Sequence, residues 1–308
     1  LASASWAAGS SRTAQLTIAM PGGAHLLEWE NNLCGSMQIA GFGPGRKVVE
    51  HSIHPYDNGF TTVGTILEND ARYAGHPKAL YAITRRLGFV ALPDGHTCLW
   101  FSQAQANLNC HLLEHRGLGF NLANDLFNGH VRHVYTSHGC LLIQGLASDQ
   151  GVVNTDSGWL HLDEGIGLTM LGILGADSFS IVTVPERNAM WQSLLYDQIC
   201  YPYKRLSRTV QAGETVEKAA VLFITGNLPA DLQDIAKPMD SSGDCWLIHG
   251  RDKQQYIVAI NFHPDDIVCH LPAGDEGEWQ TLAGPQPAGD HVVSVPPDQV
   301  AVYQLKQK

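Results

Sequence analysis

Residues 110–115 read CHLLEH and place His111, Glu114 and His115 in the order H-x-x-E-H. On a helix the two imidazoles would lie one turn apart, about 6 Å, and could share a zinc ion with the glutamate as general base. On a strand the same four-residue step spans about 13 Å, too far for two ligands at ~2.1 Å from one ion. Gly117 and Gly119 follow at once and LGFNLAND continues as an extended run. The expectation is therefore a strand with polar ends, no metal site and no cofactor.

Other constellations divide in the same way between chemistry and architecture. HSIHPYD holds His51, His54 and Asp57, but the odd spacing of the histidines sends them to opposite faces of a strand, and Asp57 after Pro55 is expected to cap a turn. GHVRHVYTSHG adds His130, His133 and His138 without metal-type spacing. Glu28 and Glu30 share a face of HLLEWE with Trp29 opposite, a pattern that could hold a carboxylate pair for glycoside cleavage but that a solvent-facing strand explains better. Asn124, Asp125 and Asn128 in NLANDLFNGH suit sugar hydroxyls or Asx-turns. VVNTDSGWLHLDEG repeats that make-up with Asn154, Asp156 and Trp159. Of Trp29, Trp100, Trp159, Trp191 and Trp279, which lie beside polar runs, one or two are expected as sugar platforms and the others as core. The carbohydrate-contacting candidates are thus Glu28, Trp29, Glu30, Asn124, Asp125, Asn128 and Trp159, and no catalytic residue is assigned.

The elements that must carry these residues read as strands. GFVALPDGHTCLWFSQA has two apolar runs around Pro93-Asp94-Gly95, where proline presets φ and glycine supplies the positive φ of a reversal. WLHLDEGIGLTMLGI and RTVQAGETVEKAAVLFIT repeat the scheme around Asp163-Glu164-Gly165 and Ala212-Gly213-Glu214, which predicts three hairpins. AQLTIAM, TTVGTIL and SFSIVTV are further short runs rich in β-branched residues. Helical periodicity is confined to PADLQDIA at 229–236, expected to make two turns, and to the ambiguous ERNAMWQSLL at 186–195. Short strands without alternating helices predict antiparallel sandwiches.

Composition agrees with that reading. Across 308 residues, 19 Lys and Arg stand against 30 Asp and Glu, a formal charge of −11 that disfavours nucleic acid as a partner. No apolar run approaches the ~18 residues of a membrane span, so no membrane partner is expected. The opening LASASWAAGSS lacks an initiator Met and a signal-peptide pattern, and is expected to be a trimmed or cut edge of something longer. Seven cysteines, odd in number and never spaced C-x-x-C, point to buried thiols and favour a reducing bacterial cytoplasm over secretion.

AKPMDSSGD, residues 236–244, marks a composition shift, and a domain boundary is placed there: 1–238 as one β domain and 239–308 as a small β-sandwich of about six strands. In that last segment Asn261-Phe262, the His263-Pro264-Asp265-Asp266 turn and Pro296-Pro297-Asp298-Gln299 resemble the C-terminal β-sandwich of many glycoside hydrolases. Residues 1 to about 235, with the Gly213-Glu214-Thr215 turn near their end, resemble more loosely the galactose-mutarotase-like supersandwich that accompanies several carbohydrate-active enzymes. The resemblance implies an all-β chain, a large antiparallel supersandwich followed by a small C-terminal sandwich, with carbohydrate and a catalytic module or partner chain as partners. It leaves three readings: a non-catalytic β region of a sugar-active enzyme, a self-contained mutarotase-like epimerase or lyase, and a structural or adhesive module. A self-contained enzyme requires a His and a Glu within hydrogen-bond reach on a concave face.

Overall fold

A computed structural model describes residues 2–6, 14–18, 36–43, 45–76, 80–123, 131–144, 151–163, 167–183, 196–272, 277–288 and 291–307. Through residue 144 the strands are β1 (Ala2–Trp6), β2 (Ala14–Ile18), β3 (Ser36–Ile39), β4 (Arg46–Tyr56), β5 (Gly59–Asp70), β6 (Tyr81–Ala91), β7 (Thr97–Ala106), β8 (Cys110–Ala123), β9 (Val131–Thr136) and β10 (Gly139–Gln144). There follow β11 (Val152–Asn154), β12 (Trp159–Leu162), β13 (Leu168–Leu174), β14 (Ser180–Thr183), β15 (Tyr196–Val210) and β16 (Thr215–Thr225). The last are β17 (Ala236–Pro238), β18 (Cys245–His249), β19 (Gln255–Asn261), β20 (Ile267–His270), β21 (Gly277–Ala283), β22 (Val292–Val295) and β23 (Gln299–Gln307). A single 3-10 turn, Ala71–Ala74, is the one helical element among the described residues. The chain is all-β, as its turn chemistry predicts.

A nine-stranded antiparallel sheet, ordered β10-β9-β12-β13-β16-β7-β6-β5-β4, faces a five-stranded sheet, β11-β14-β15-β8-β3. Trp100, Phe120, Phe179, Tyr201 and Phe223 fill the centre between them. Met37, Ile39, Leu112 and Val210 close one end. A second five-stranded sheet, β17-β18-β19-β23-β21, packs on the other side of the nine-stranded one, and the β20-β22 pair covers its far face.

Burial on both sides explains the apolar runs. Along β7, Trp100 points into the first core while Leu99 and Phe101 point to the rear, where Phe101 meets Trp246 and Phe262 at ring separations of 5.5 and 5.4 Å. A strand covered on both faces reads as a continuous hydrophobic run instead of an alternation.

Two expected hairpin pairings form. β6 and β7 pair around Pro93-Asp94-Gly95, where Gly95 adopts φ +72 and Asp94 accepts hydrogen bonds from the backbone of His96 and Thr97. β12 and β13 are antiparallel neighbours, with residues 164–166 outside the described set. The third expectation is corrected: β15 and β16, on either side of Ala212-Gly213-Glu214, lie in different sheets. The turn is held by Gly213 N donating to Ala106 O and Ala106 N to Glu214 O, so it stacks on the neighbouring passage from β7 to β8, which also changes sheets. Tight turn residues reverse a chain equally well within one sheet or across two.

The two-turn helix expected at 229–236 is also absent. Residues 230–235 form bends and turns, with Asp231 capping the backbone of Gln233, before β17 pairs with β18. Two turns without a buried stripe do not recover the cost of helix nucleation. ERNAMWQSLL at 186–195 lies outside the described residues.

Candidate functional site

His111, Glu114 and His115 all lie on β8, a strand. His111 bonds Ser207 and Thr209 through its two ring nitrogens, at 2.9 and 3.4 Å. Glu114 accepts from Arg116 at 3.2 Å and from Tyr203 at 3.1 Å. His115 instead turns inward to Glu217 on β16. Three neighbours in sequence thus serve three separate sets of partners. Among the described residues no three His, Cys, Asp or Glu side chains gather as a metal site.

The inward pair belongs to a closed polar network. Glu217 accepts from Ser102 on β7, Arg85 on β6 and His115 on β8. Arg85 also pairs with Glu68 on β5, which lies 3.5 Å from Arg46 on β4. Burial pushes the Glu217 carboxyl up, but the charges of Arg85 and His115 and the hydrogen bonds from His115 and Ser102 outweigh it and hold it below the ordinary glutamate value. Register shifts between Thr215 and Glu217 on β16, and between Arg205 and Arg208 opposite β8, flank the network. Such irregularities re-aim side chains.

A His and a Glu within hydrogen-bond reach are the acid–base pair that the epimerase reading requires on a concave face. Here the His115 side chain is 4 % exposed and that of Glu217 0 %. The pair is enclosed between two sheets, its charge matched by arginine, and it works as an inter-sheet tie. The sequence carries no local signal for it, because 102 residues separate the partners.

An open site lies where the chain leaves β13 for β14. Gly172, Ile173, Leu174, Gly175, Ala176 and Asp177 form one wall of a cleft of about 620 Å³, and Tyr201, Pro202, Tyr203 and Lys204 of β15 form the other. Asn154, Ser178 and Ser180 complete it. Its shape follows from small residues. A side chain on Gly172 would place Cβ 2.4 Å from the Tyr201 ring, so only glycine lets that ring form the floor. The Tyr201 hydroxyl bonds both the N–H and the C=O of Ala176, which fixes the wall, and burial pushes that hydroxyl up to about 12. Asn154 is oriented too, donating to Asp156 at 2.8 Å and accepting from Ser178 at 3.1 Å. Burial, then the Glu114 carboxylate, raises the Tyr203 hydroxyl above its ordinary value and keeps it a donor.

Of the carbohydrate-contacting candidates, Glu28, Trp29, Glu30, Asn124, Asp125 and Asn128 lie outside the described residues, as do His130 and Trp191. Trp159 is half-buried on β12 opposite Leu171, near the cleft loop but not lining the cleft. Trp100 is core, and Trp279 donates from Nε1 to Pro272 O at 2.9 Å. Asp57 lies in the β4–β5 turn, while His54 lines a groove of about 380 Å³ against residues 283–284 and 297–300. Cys98, Cys110, Cys140, Cys200, Cys245 and Cys269 form no disulfide with one another, and four of them are buried. No helix among the described residues is long and apolar enough to cross a membrane.

The fold and cleft define a class, a layered antiparallel β protein with a polar cleft at a sheet crossing. No family model matches the chain, and no curated protein does. Solved structures with partial likeness include an alpha-galactosidase from Lactobacillus brevis, at TM-score 0.43 and 7 % identity over 74 % of this chain and 39 % of that one. The galactosidase domain of alpha-galactosidase-sucrose kinase, AgaSK, gives 0.41 and 9 % over 70 % and 40 %. The GH36 alpha-galactosidase AgaA from Geobacillus stearothermophilus gives 0.41 and 8 % over 62 % and 30 %. The matched part spans less than half of each of these proteins, and at such scores no activity is transferred from them.

Proposed function

We propose that this chain is a non-catalytic β region of a carbohydrate-active enzyme of the glycoside-hydrolase type, packing on a catalytic module and contacting glycan. Its division at residue 238 into a supersandwich and a small sandwich is part of the same reading. The observation that carries it is the enclosure of His115 and Glu217. The sugar-epimerase alternative needs a His–Glu pair on an open face, and this pair is buried and tied to Arg85. The strand and turn pattern of residues 261–299, which resembles the closing sandwich of glycoside hydrolases, adds support. The absence of charge complementarity to nucleic acid in a −11 chain and the polar character of the cleft are in keeping with a neutral glycan as partner.

The test is turnover by the 308-residue chain: mutarotation of D-glucose and D-galactose followed by polarimetry, and hydrolysis of a panel of nitrophenyl glycosides. Rates equal to the uncatalysed background are expected. Turnover that His115→Gln abolishes while the variant stays folded would instead establish a self-contained enzyme.

A further inference from the structure

We infer that the cleft between residues 172–180 and 201–204 is a binding site for a short neutral saccharide, with Asp177 and Lys204 as its main hydrogen-bonding groups. The inference rests on the glycan-contacting reading above and supplies the place of contact. A pyranose offers vicinal hydroxyls, which both donate and accept, and one apolar C–H face. The cleft answers each of these. Asp177 is an acceptor on its exposed rim and Lys204 an exposed donor on the opposite wall. Asn154, held in place by Asp156 and Ser178, adds an amide edge, and the half-buried Tyr203 adds a ring. Leu174 and Pro202 supply apolar surface beside it.

Three features favour a neutral sugar over other ligands. One carboxylate and one ammonium give the rim no net charge, so it does not select an anion or a cation. The volume of about 620 Å³ falls in the ordinary range of small-molecule sites and leaves room for more than a single small ion. The wall is also fixed before any ligand arrives, through both bonds from the Tyr201 hydroxyl to Ala176, and prior order lowers the entropic cost of binding.

The experiment is isothermal titration of the full chain with D-glucose, D-galactose, D-mannose, D-xylose, maltose, cellobiose, lactose and melibiose, repeated on Asp177→Ala, Lys204→Ala and, as a control, Glu50→Ala on exposed β4. All three positions are exposed, and circular dichroism checks that each variant folds. Binding of at least one sugar, weakened about tenfold or more by Asp177→Ala or Lys204→Ala and unchanged by Glu50→Ala, is expected, since a hydrogen bond to a charged group contributes roughly that much. Failure of the whole panel to bind, or affinity that both cleft variants leave intact, overturns the assignment. Sugar binding that survives both variants locates the contact elsewhere and leaves the glycan-contacting reading standing, whereas that reading fails separately if the chain turns glycosides over.

Discussion

His161 and Glu217 are two buried groups whose environments push them the same way. Burial holds the His161 imidazole below its ordinary 6.5, with Asp163 opposing and Arg251 adding to the effect, and Thr169 bonds its Nδ1 at 2.9 Å. The net effect of burial, Arg85, His115 and Ser102 holds Glu217 below its ordinary 4.5. A group whose folded pKa is depressed binds its proton more readily in the unfolded chain, so its stabilisation is complete above the unfolded value and is lost as pH falls. His161 acts first, below about pH 6.5, and Glu217 follows below about 4.5. Melting temperatures measured from pH 7.5 to 4 are therefore expected to fall continuously, with the onset near 6.5. A rise in melting temperature between pH 7 and 5 would contradict the assignment of His161 as a buried group held below its ordinary value, and a rise between pH 4.5 and 4 that of Glu217.

At the scale of elements, what the sequence reveals depends on how local the cause is. The strands of β6, β7, β16 and β19 are legible because two-sided burial demands long apolar runs, and those runs end in Gly, Pro, Asn or Asp. The H-x-x-E-H segment is legible as a strand from the glycines and extended run that follow it, and His111 and His115 take different partners. The Ala212-Gly213-Glu214 turn has hairpin chemistry, but its sheet-crossing is decided by contact with Ala106, over a hundred residues earlier. The His115–Glu217 tie was invisible for that reason too. In the cleft, only the Asn-Asp-Trp density near Asn154 gives a signal, since Asp177, between β13 and β14, and Lys204, on β15, line one cleft only through the fold. Phe101 measures the two-sided burial of β7 directly. Phe101→Ala is expected to lower the unfolding free energy by about 3–5 kcal/mol in urea titrations, by removing a ring packed on Trp246 and Phe262. A loss under about 1 kcal/mol would mean that the rear sheet does not cover that face as described.

Across the whole molecule, four of the five sheets among the described residues stack around three interlayers, and ionic ties link them at their margins. Lys218 on the nine-stranded sheet reaches Asp244 before β18 at 2.7 Å, and Asp244 also meets His263 at 2.9 Å. Asp94 in the β6–β7 turn accepts from the backbone of Arg251 at 2.9 Å. The rear layers are therefore fastened to the front ones by side chains as well as by the shared core around Phe101 and Trp246. Such layering puts the His115–Glu217–Arg85 charge network inside and leaves the cleft as a polar hollow at a margin.

The most direct test of that division is accessibility of the imidazoles to diethylpyrocarbonate, read residue by residue by mass spectrometry on the native chain. His51, His54, His133 and His138 are exposed and should be modified at ordinary rates, while His115 should stay unmodified until the protein unfolds. Modification of His115 in the folded chain at a rate matching His54 would contradict a sealed His115–Glu217 pair and reopen the catalytic reading.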